Sequence, residues 1–183
     1  METLHVIASR TSYRKAFKKT PVPKEDLIKI LKAGLAAPSG CNAQTVSLIA
    51  VDDPEILTQL KQIAPPLARQ DAPAIICILS QKIPTYKDRF FHIQDYSAAI
   101  ENILLAAVDL GYESCWYEGM VRDDDEVGRK MANILGVPEE FELISYSPIG
   151  VAAHPTTFPE KKPFEMRAWL NGFGQQWECE VNE

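Results

Sequence analysis

A short cluster near the start of the chain carries the most distinctive chemistry of the sequence. Arg10 and Arg14 flank the hydroxyl residues Thr11 and Ser12, directly after an apolar stretch that predicts a first helix. Guanidinium groups, hydroxyls and free backbone N–H groups can together hold a phosphate or another anion. The same residues would also form a solvated basic patch at a helix end, and their spacing alone leaves both interpretations open.

Motifs for other chemistries are missing from the sequence. His5, His92 and His154 are far apart, and none lies at ligand spacing from another histidine or from a cysteine, so we expect no metal site. The sequence contains no Gly-x-Ser-x-Gly elbow, no Walker A loop and no complete dinucleotide-binding fingerprint. No other motif in the sequence indicates a catalytic nucleophile.

The composition limits the class of protein and its partners. The chain has 183 residues, of which 46% are hydrophobic, and this is ordinary for one globular domain over residues 1–183. Its formal net charge of −6 argues against nucleic acid or an anionic membrane as a general partner, although a local basic patch stays possible. No apolar stretch approaches the roughly 20 residues that span a bilayer.

The location of the protein is inferred from two further features. The first residues lack a basic flank followed by an apolar core, so we find no secretion signal. The cysteines are widely spaced and form no Cys-x-x-Cys pair, which favours reduced thiols in a cytoplasmic protein. They are Cys41, Cys77, Cys115 and Cys179.

Helices and strands that alternate along the chain would position the cluster. We expect helices at 4–8, 23–35, 54–64, 95–111 and 124–135, and strands at 45–51, 74–79, 113–118 and 142–152. Strand 74–79 is continuously apolar and should be covered on both faces. Asp95 is expected to cap its helix, and Pro148 to put its strand at an edge or at a bulge. Residues 81–91 mix charge and aromatics and suit a surface excursion. The pattern predicts a layered α/β or α+β domain.

Several segments, taken in order, resemble the FMN-dependent nitroreductase family. Segment 9–14 resembles its opening signature of a basic residue, a serine and a second basic residue. Segment 36–44 resembles its Ala-Pro-Ser loop, which is followed by asparagine and glutamine. Segments 102–111 and 114–116 resemble the central helix of the family and the strand that follows it. Segment 118–119 resembles a turn near the flavin. Segments 149–151 and 161–165 resemble a late strand and a basic C-terminal segment.

The resemblance implies a fold, a cofactor and a reaction. The fold would be α+β in three layers, with a mostly antiparallel central sheet flanked by helices and a C-terminal extension packing on the partner subunit. Two FMN sites would lie at the interface of a homodimer. NADH or NADPH would reduce FMN, and the reduced flavin would pass electrons to a small-molecule acceptor such as a nitroarene or quinone, in a ping-pong sequence.

The resemblance also assigns roles to particular residues. Arg10 and Ser12, with Thr11 beside them, would hold the phosphate and ribityl chain, and Lys161 would add a second phosphate cation. Arg14 would lie near the N1–C2=O side of the ring, where a fixed cation favours the reduced flavin. The residues that border the ring from the partner subunit would be Pro38, Ser39, Gly40 and Asn42. The N–H groups of Glu118 and Gly119 would face N5, and no side chain would be a required acid or base, because the flavin does the chemistry.

Alternatives stay open at several points. Glu118 could be only a strand-end carboxylate and Lys161 only a solvated lysine. Thr45 and Val46 stand where the family commonly has proline and tryptophan, and residues 81–91 match no family motif. An FMN-binding carrier or sensor with little turnover, or a reductive dehalogenase that uses the flavin, would fit the same resemblance.

Overall fold

A four-stranded antiparallel sheet forms the centre of the computed structural model, which describes residues 2–123 and 125–177. A separate hairpin lies beside this sheet. In chain order the strands are β1 (Val46–Val51), β2 (Ala74–Ser80), β3 (Pro84–Tyr86), β4 (Arg89–Phe90), β5 (Glu113–Ser114) and β6 (Glu142–Gly150). The sheet has the order β1-β2-β6-β5, and β3 pairs with β4 in the hairpin.

Strand β2 divides the apolar core into two layers. All seven of its residues are buried, and successive side chains of a strand point to opposite faces. Ile75 and Cys77 belong to one apolar cluster, whereas Ile76 and Ile78 belong to the other. The prediction of a strand that is covered on both faces is therefore confirmed.

Helices supply the outer layers on both faces of the sheet. The helices are α1 (Thr3–Ser9), α2 (Lys24–Leu35), α3 (Pro54–Ile63), α4 (Pro65–Gln70), α5 (His92–Asp109), α6 (Gly119–Asp123) and α7 (Asp125–Ile134). Ile30 of α2 and Ile103 of α5 lie in the cluster on one face, and Leu60 of α3 and Met131 of α7 lie in the cluster on the other. The predicted α+β fold, with a mostly antiparallel sheet flanked by helices, is confirmed.

The start of α3 follows the chemistry of its sequence. The Asp53 carboxylate accepts hydrogen bonds from the N–H groups of Glu55 and Ile56 at 2.9 and 3.0 Å, and Pro54 occupies the first helical position. Pro65 lies just beyond the last residue of α3, as expected, but it also opens the short helix α4. A proline at the first position loses no helical hydrogen bond, so the chain resumes a helix there.

The prediction of an edge position for the Pro148 strand is wrong. Strand β6 lies between β2 and β5. Tyr146 and Tyr117 exchange both backbone hydrogen bonds at 3.0 Å, so the missing N–H of Pro148 also faces the β5 side. Pairing between β5 and β6 is interrupted at Pro148 and returns only as an isolated bridge at Tyr117. The predicted strand 113–118 is therefore reduced to Glu113–Ser114 and that bridge. A bulge does occur in β6, but at Ile144, where the register with β2 shifts.

The prediction that Asp95 caps the long central helix is also wrong. Helix α5 begins at His92, and Phe91 precedes its first residue. Asp95 lies inside the first turns and is 3% exposed. Its carboxylate has other partners, which hold a loop in place.

The cysteines of the described residues form no disulfide bond. Cys41, Cys77 and Cys115 are free thiols, and Cys179 lies outside the described residues. No helix within residues 2–123 and 125–177 combines the length and the apolar character that a membrane span requires.

Candidate functional site

Residues 10–17 cross the end of the sheet as an irregular segment with an inner and an outer side. The Tyr13 N–H donates to the Ser114 carbonyl at 2.9 Å, and the Phe17 N–H donates to the Gln70 carbonyl at 2.8 Å. Tyr13 and Phe17 are only 2% and 4% exposed, and their tilted rings lie 5.0 Å apart between centroids. Burial of these rings fixes the segment.

The outer side of this segment carries the polar cluster. Thr11 is buried beside Tyr13, whereas Ser12 is half-buried and Arg14 is exposed. Side chains alternate along extended backbone, so residues two apart share a side. Arg10, Ser12 and Arg14 line the same cavity, which Thr11 between them also lines.

The C-terminal part of the chain returns to cover this cluster. The Thr11 hydroxyl donates to the Thr157 carbonyl at 3.3 Å, and the Lys15 ammonium donates to the Pro155 carbonyl at 2.8 Å. The Thr156 hydroxyl donates to the Glu113 carboxylate at 2.8 Å. These bonds hold the segment that carries Lys161 beside the N-terminal cluster.

The two ends of the chain enclose a cavity of about 600 Å³, which we call the cationic cavity. It is lined by Ala8, Arg10, Thr11, Ser12, Arg14, Thr157, Phe158, Pro159 and Lys161. Its volume lies within the range of small-molecule sites, which is roughly 300–1,000 Å³. Two guanidinium groups, one ammonium group and a hydroxyl are the donors that a phosphate group prefers. The residues present therefore fit the phosphate end of FMN.

Two neighbours modify the charge of the cationic cavity. Glu101 of α5 lies 3.5 Å from the Arg10 Nε and offsets part of its charge. The Cys115 thiol is buried beneath Ser12, and burial raises the pKa of this thiol, although nearby Arg14 and a hydrogen bond with Ser12 lower it. The cavity therefore keeps a positive balance, because the raised pKa keeps the neighbouring thiol neutral.

A second group of predicted residues lies in the loop 37–44. The Ser39 hydroxyl accepts the Gln44 N–H at 3.0 Å, and the Ser39 carbonyl accepts the Asn42 N–H at 3.0 Å. Cys41, Asn42 and Gln44 all have positive φ, between 50° and 57°. Such a tightly folded loop leaves the Asn42 side chain exposed to solvent.

Asp95 anchors this loop to helix α5. Its carboxylate accepts the Gly40 N–H at 2.8 Å through Oδ1 and the Thr45 hydroxyl at 2.8 Å through Oδ2. A Cβ at Gly40 would lie 2.6 Å from the Phe91 Cβ, which is closer than real Cβ atoms approach. Only glycine leaves room for this approach without a shift of the loop or of Phe91.

Glu118 and Gly119 lie in a third polar group. The Glu118 carboxylate accepts the Tyr96 hydroxyl at 2.8 Å and the Arg122 Nη1 at 2.9 Å. Arg122 Nη1 also donates to the Tyr96 hydroxyl at 3.0 Å. Burial, followed by the hydrogen bond to Glu118, raises the pKa of Tyr96 to about 12, so its hydroxyl stays a donor. Gly119 begins α6 directly after this cluster.

The structure brings one group of predicted residues together and keeps the others apart. The cationic cavity collects Arg10, Thr11, Ser12, Arg14 and Lys161. Pro38 and Ser39 instead line a separate cavity of about 190 Å³ that Asp95 also lines. Gly40, Asn42, Glu118 and Gly119 do not line the cationic cavity.

Neither the contacts of Asp95 with Gly40 and Thr45 nor the contact of Tyr96 with Glu118 was predicted from the sequence. A signal was present, because Asp95 is the one charged residue between His92 and Glu101 and lies next to Tyr96, in a helix with an apolar stripe. A buried carboxylate needs hydrogen-bond partners, and such a residue predicts polar contacts to another segment. Phe158 of the cavity wall carried no comparable signal.

Across residues 2–123 and 125–177, no three residues of the types His, Cys, Asp or Glu form a group that could hold a metal ion.

The chain is similar to known proteins over most of its length. The family model for the nitroreductase family matches residues 7–70 and 67–151. A candidate NADH dehydrogenase/NAD(P)H nitroreductase of Archaeoglobus fulgidus is 33% identical over 162 residues, which cover 87% of this chain and 90% of that protein.

Two solved structures share the fold. An FMN-dependent nitroreductase from Clostridium difficile R20291 superposes with a TM-score of 0.75 at 31% identity and covers 93% of this chain and 99% of its own. A nitroreductase with bound FMN from Bacteroides fragilis gives 0.74 at 29% identity over 93% and 98%. The chain therefore belongs to the nitroreductase family of oxidoreductase enzymes.

Proposed function

We propose that this protein binds FMN, takes electrons from NADH or NADPH, and passes them to nitroaromatic or quinone acceptors in a ping-pong sequence. One observation carries the proposal: Arg10, Ser12 and Arg14 share a cavity with Lys161, which comes from the opposite end of the chain. The names of two similar proteins, one FMN-dependent and one with bound FMN, support the choice of cofactor.

The phosphate end of the cofactor is assigned to the cationic cavity. Arg10, Ser12 and Lys161 hold the phosphate and the ribityl chain by charge-assisted hydrogen bonds, and buried Thr11 keeps the segment in register. When bound, FMN supplies the hydride and electron chemistry that no side chain of this chain offers. Arg14 adds a fixed positive charge, which favours any state of the bound group that carries extra negative charge.

The ring end of the cofactor is assigned to residues outside the cavity. Pro38, Ser39, Gly40 and Asn42 border the ring, and the backbone N–H groups of Glu118 and Gly119 face its N5 edge. The network around Asp95 supports this assignment, because its two hydrogen bonds hold the loop at Gly40 against helix α5. Rigid supports of this kind orient a bound group at low entropic cost.

The complete site is assigned to a homodimer. Within one chain, Pro38 and Ser39 line a cavity that is separate from the cationic cavity. A second copy of the chain would therefore supply the loop at 38–42 to complete the site. The C-terminal extension would pack on that partner, since it carries many large apolar side chains on its surface. The exposed ones are Phe158, Phe164, Met166, Leu170, Phe173 and Trp177.

Spectroscopy on the purified protein tests the proposal. We expect a yellow protein that absorbs near 450 nm, which is about where oxidised flavin itself absorbs. This absorbance should be lost on anaerobic addition of NADH or NADPH. A nitroarene or a quinone should then restore the absorbance. Bound flavin that neither NADH nor NADPH reduces would instead indicate a carrier or sensor, and a colourless protein that takes up no FMN would refute the cofactor.

A further inference from the structure

The hairpin of β3 and β4 has a well-defined turn. Lys87 and Asp88 join the two strands with φ of 46° and 60°, and positive φ at both central residues is the mark of a type I′ turn. This turn matches the twist of a hairpin, so the segment 82–90 projects as an ordered unit, which we call the cationic hairpin.

The cationic hairpin combines aromatic rings with positive charge. Tyr86 and Phe90 expose 48% and 43% of their surfaces. The Lys87 ammonium lies 5.3 Å from the centroid of the Tyr86 ring, and the Lys82 ammonium lies 5.3 Å from that of the Phe90 ring. With Arg89 the segment has three cations and, in Asp88, one acid, whereas the whole chain has a net charge of −6.

The position of the cationic hairpin links it to the loop at Gly40. Strand β3 packs against the turn Gly40–Asn42. Phe91, which follows β4 directly, fills the space beside the Gly40 backbone. The proposed function puts this loop at the edge of the flavin ring, and the present inference rests on that assignment. The hairpin then flanks the place where an acceptor meets the ring.

We infer that the cationic hairpin selects flat aromatic acceptors that carry a negative charge, such as nitrobenzoates. Exposed rings offer a stacking surface for an aromatic acceptor. The cations above those rings attract a carboxylate or sulfonate on the acceptor, although the chain as a whole carries a net charge of −6. A neutral acceptor of the same shape gains the stacking but not the charge interaction.

Two neighbouring substitutions in the turn test the inference with opposite signs. Lys87→Asn removes a cation and Asp88→Asn removes the acid, and asparagine tolerates the positive φ of both positions. The acceptors are 4-nitrobenzoate and its neutral counterpart 4-nitrobenzamide. Because these differ in intrinsic reactivity, the readout is the change in the ratio of their kcat/KM values between the variants and the unsubstituted protein.

We expect Lys87→Asn to lower this ratio about threefold and Asp88→Asn to raise it about threefold, the effect of one charge at roughly 7 Å in water. Both changes should shrink in high salt. The affinity for benzoate, which cannot be reduced, should shift in the same two directions in the oxidised holoprotein, so that Lys87→Asn raises the dissociation constant of benzoate and Asp88→Asn lowers it. A ratio and a benzoate affinity that neither substitution moves would overturn the inference.

Separate measurements keep this outcome distinct from failure of the proposed function. FMN affinity and the rate of anaerobic reduction by NADH are measured on the same three proteins, and we expect the substitutions to leave the FMN affinity unchanged. A protein that binds and reduces FMN but ignores the charge of the acceptor refutes only the role of the hairpin. A protein that binds no FMN refutes the proposed function itself.

Discussion

The Asp95 carboxylate accepts the backbone N–H of Gly40 at 2.8 Å and so ties helix α5 to a loop that lies 55 residues earlier in the chain. Its second oxygen accepts the Thr45 hydroxyl, which closes the loop from its other end. The neighbouring Tyr96 reaches Glu118 in the same way. Two consecutive residues of one helix thus hold both segments that are assigned to the flavin ring.

Asp95→Ala should destabilise the protein by about 3 kcal/mol, because it leaves the Gly40 N–H and the buried Thr45 hydroxyl without an acceptor. Asp95→Asn should cost only about 1 kcal/mol, since an amide oxygen can still accept the Gly40 N–H and the threonine hydroxyl can rotate. Urea unfolding of both variants measures the difference. Equal losses in the two variants would show that the carboxylate does not act through these hydrogen bonds.

Gly40→Ala should cost about 1–3 kcal/mol, because the added methyl group would lie within 2.6 Å of Phe91 and force a shift. In the background of Phe91→Gly, which removes the Phe91 Cβ together with the ring, the same substitution should cost at least about 1 kcal/mol less. A double-mutant cycle of unfolding free energies measures this coupling. A penalty for Gly40→Ala that is the same in both backgrounds would contradict the close approach.

Tyr96→Phe should change the dependence of stability on alkaline pH. The pKa of Tyr96 is raised from 10.0 to about 12, mainly by burial and then by Glu118, so the folded state resists deprotonation more than the unfolded state does. The hydroxyl therefore contributes stability that is fully present below pH 10 and is lost between pH 10 and 12.

At pH 8 we expect the Tyr96→Phe variant to be less stable than the unsubstituted protein, because Glu118 and Arg122 lose a shared partner. The gap should close as the pH rises from 10 to 12, while the other tyrosines affect both proteins alike. Unfolding free energies at several pH values test this. A gap that stays constant over that interval would show that Tyr96 does not titrate as described.

Arg14→Gln should weaken FMN binding about tenfold or more, because a charge-assisted contact contributes roughly 1.5–3 kcal/mol. Arg129→Gln is the matched control, since Arg129 is an exposed arginine on α7 that lies outside the cationic cavity. Titration of FMN followed by flavin fluorescence gives both dissociation constants. An equal effect of the two substitutions would remove Arg14 from the site.

Local sequence patterns predicted much of the fold because they carry their own physical cause. The uninterrupted apolar run of β2 requires cover on both faces, and Asp53 with Pro54 starts α3 through contacts within a single turn. The prediction that Pro148 puts its strand at a sheet edge was wrong, because the missing N–H of a proline faces only one side of its strand. Only that side has to be unpaired at the proline. The neighbouring strand β5 meets that condition by ending at Ser114.

The candidate site was predictable where a short segment carries it and unpredictable where distant segments meet. Arg10, Ser12 and Arg14 lie in one short segment, so their presence at one cavity follows from their closeness in sequence. The approach of Lys161 depends on hydrogen bonds from Thr11 and Lys15 to carbonyls about 140 residues away, which no local pattern encodes. The Asp95 contacts are of the same long-range kind.

The affinity of the protein for FMN, compared with that for riboflavin, tests the central claim most directly, because the two ligands share a ring and differ by the phosphate. If Arg10, Ser12 and Lys161 hold the phosphate, FMN should bind at least about 100-fold more tightly, as expected for two or more charge-assisted hydrogen bonds. Lys161→Gln should narrow that difference. Equal affinities for FMN and riboflavin would contradict the assignment of the cationic cavity.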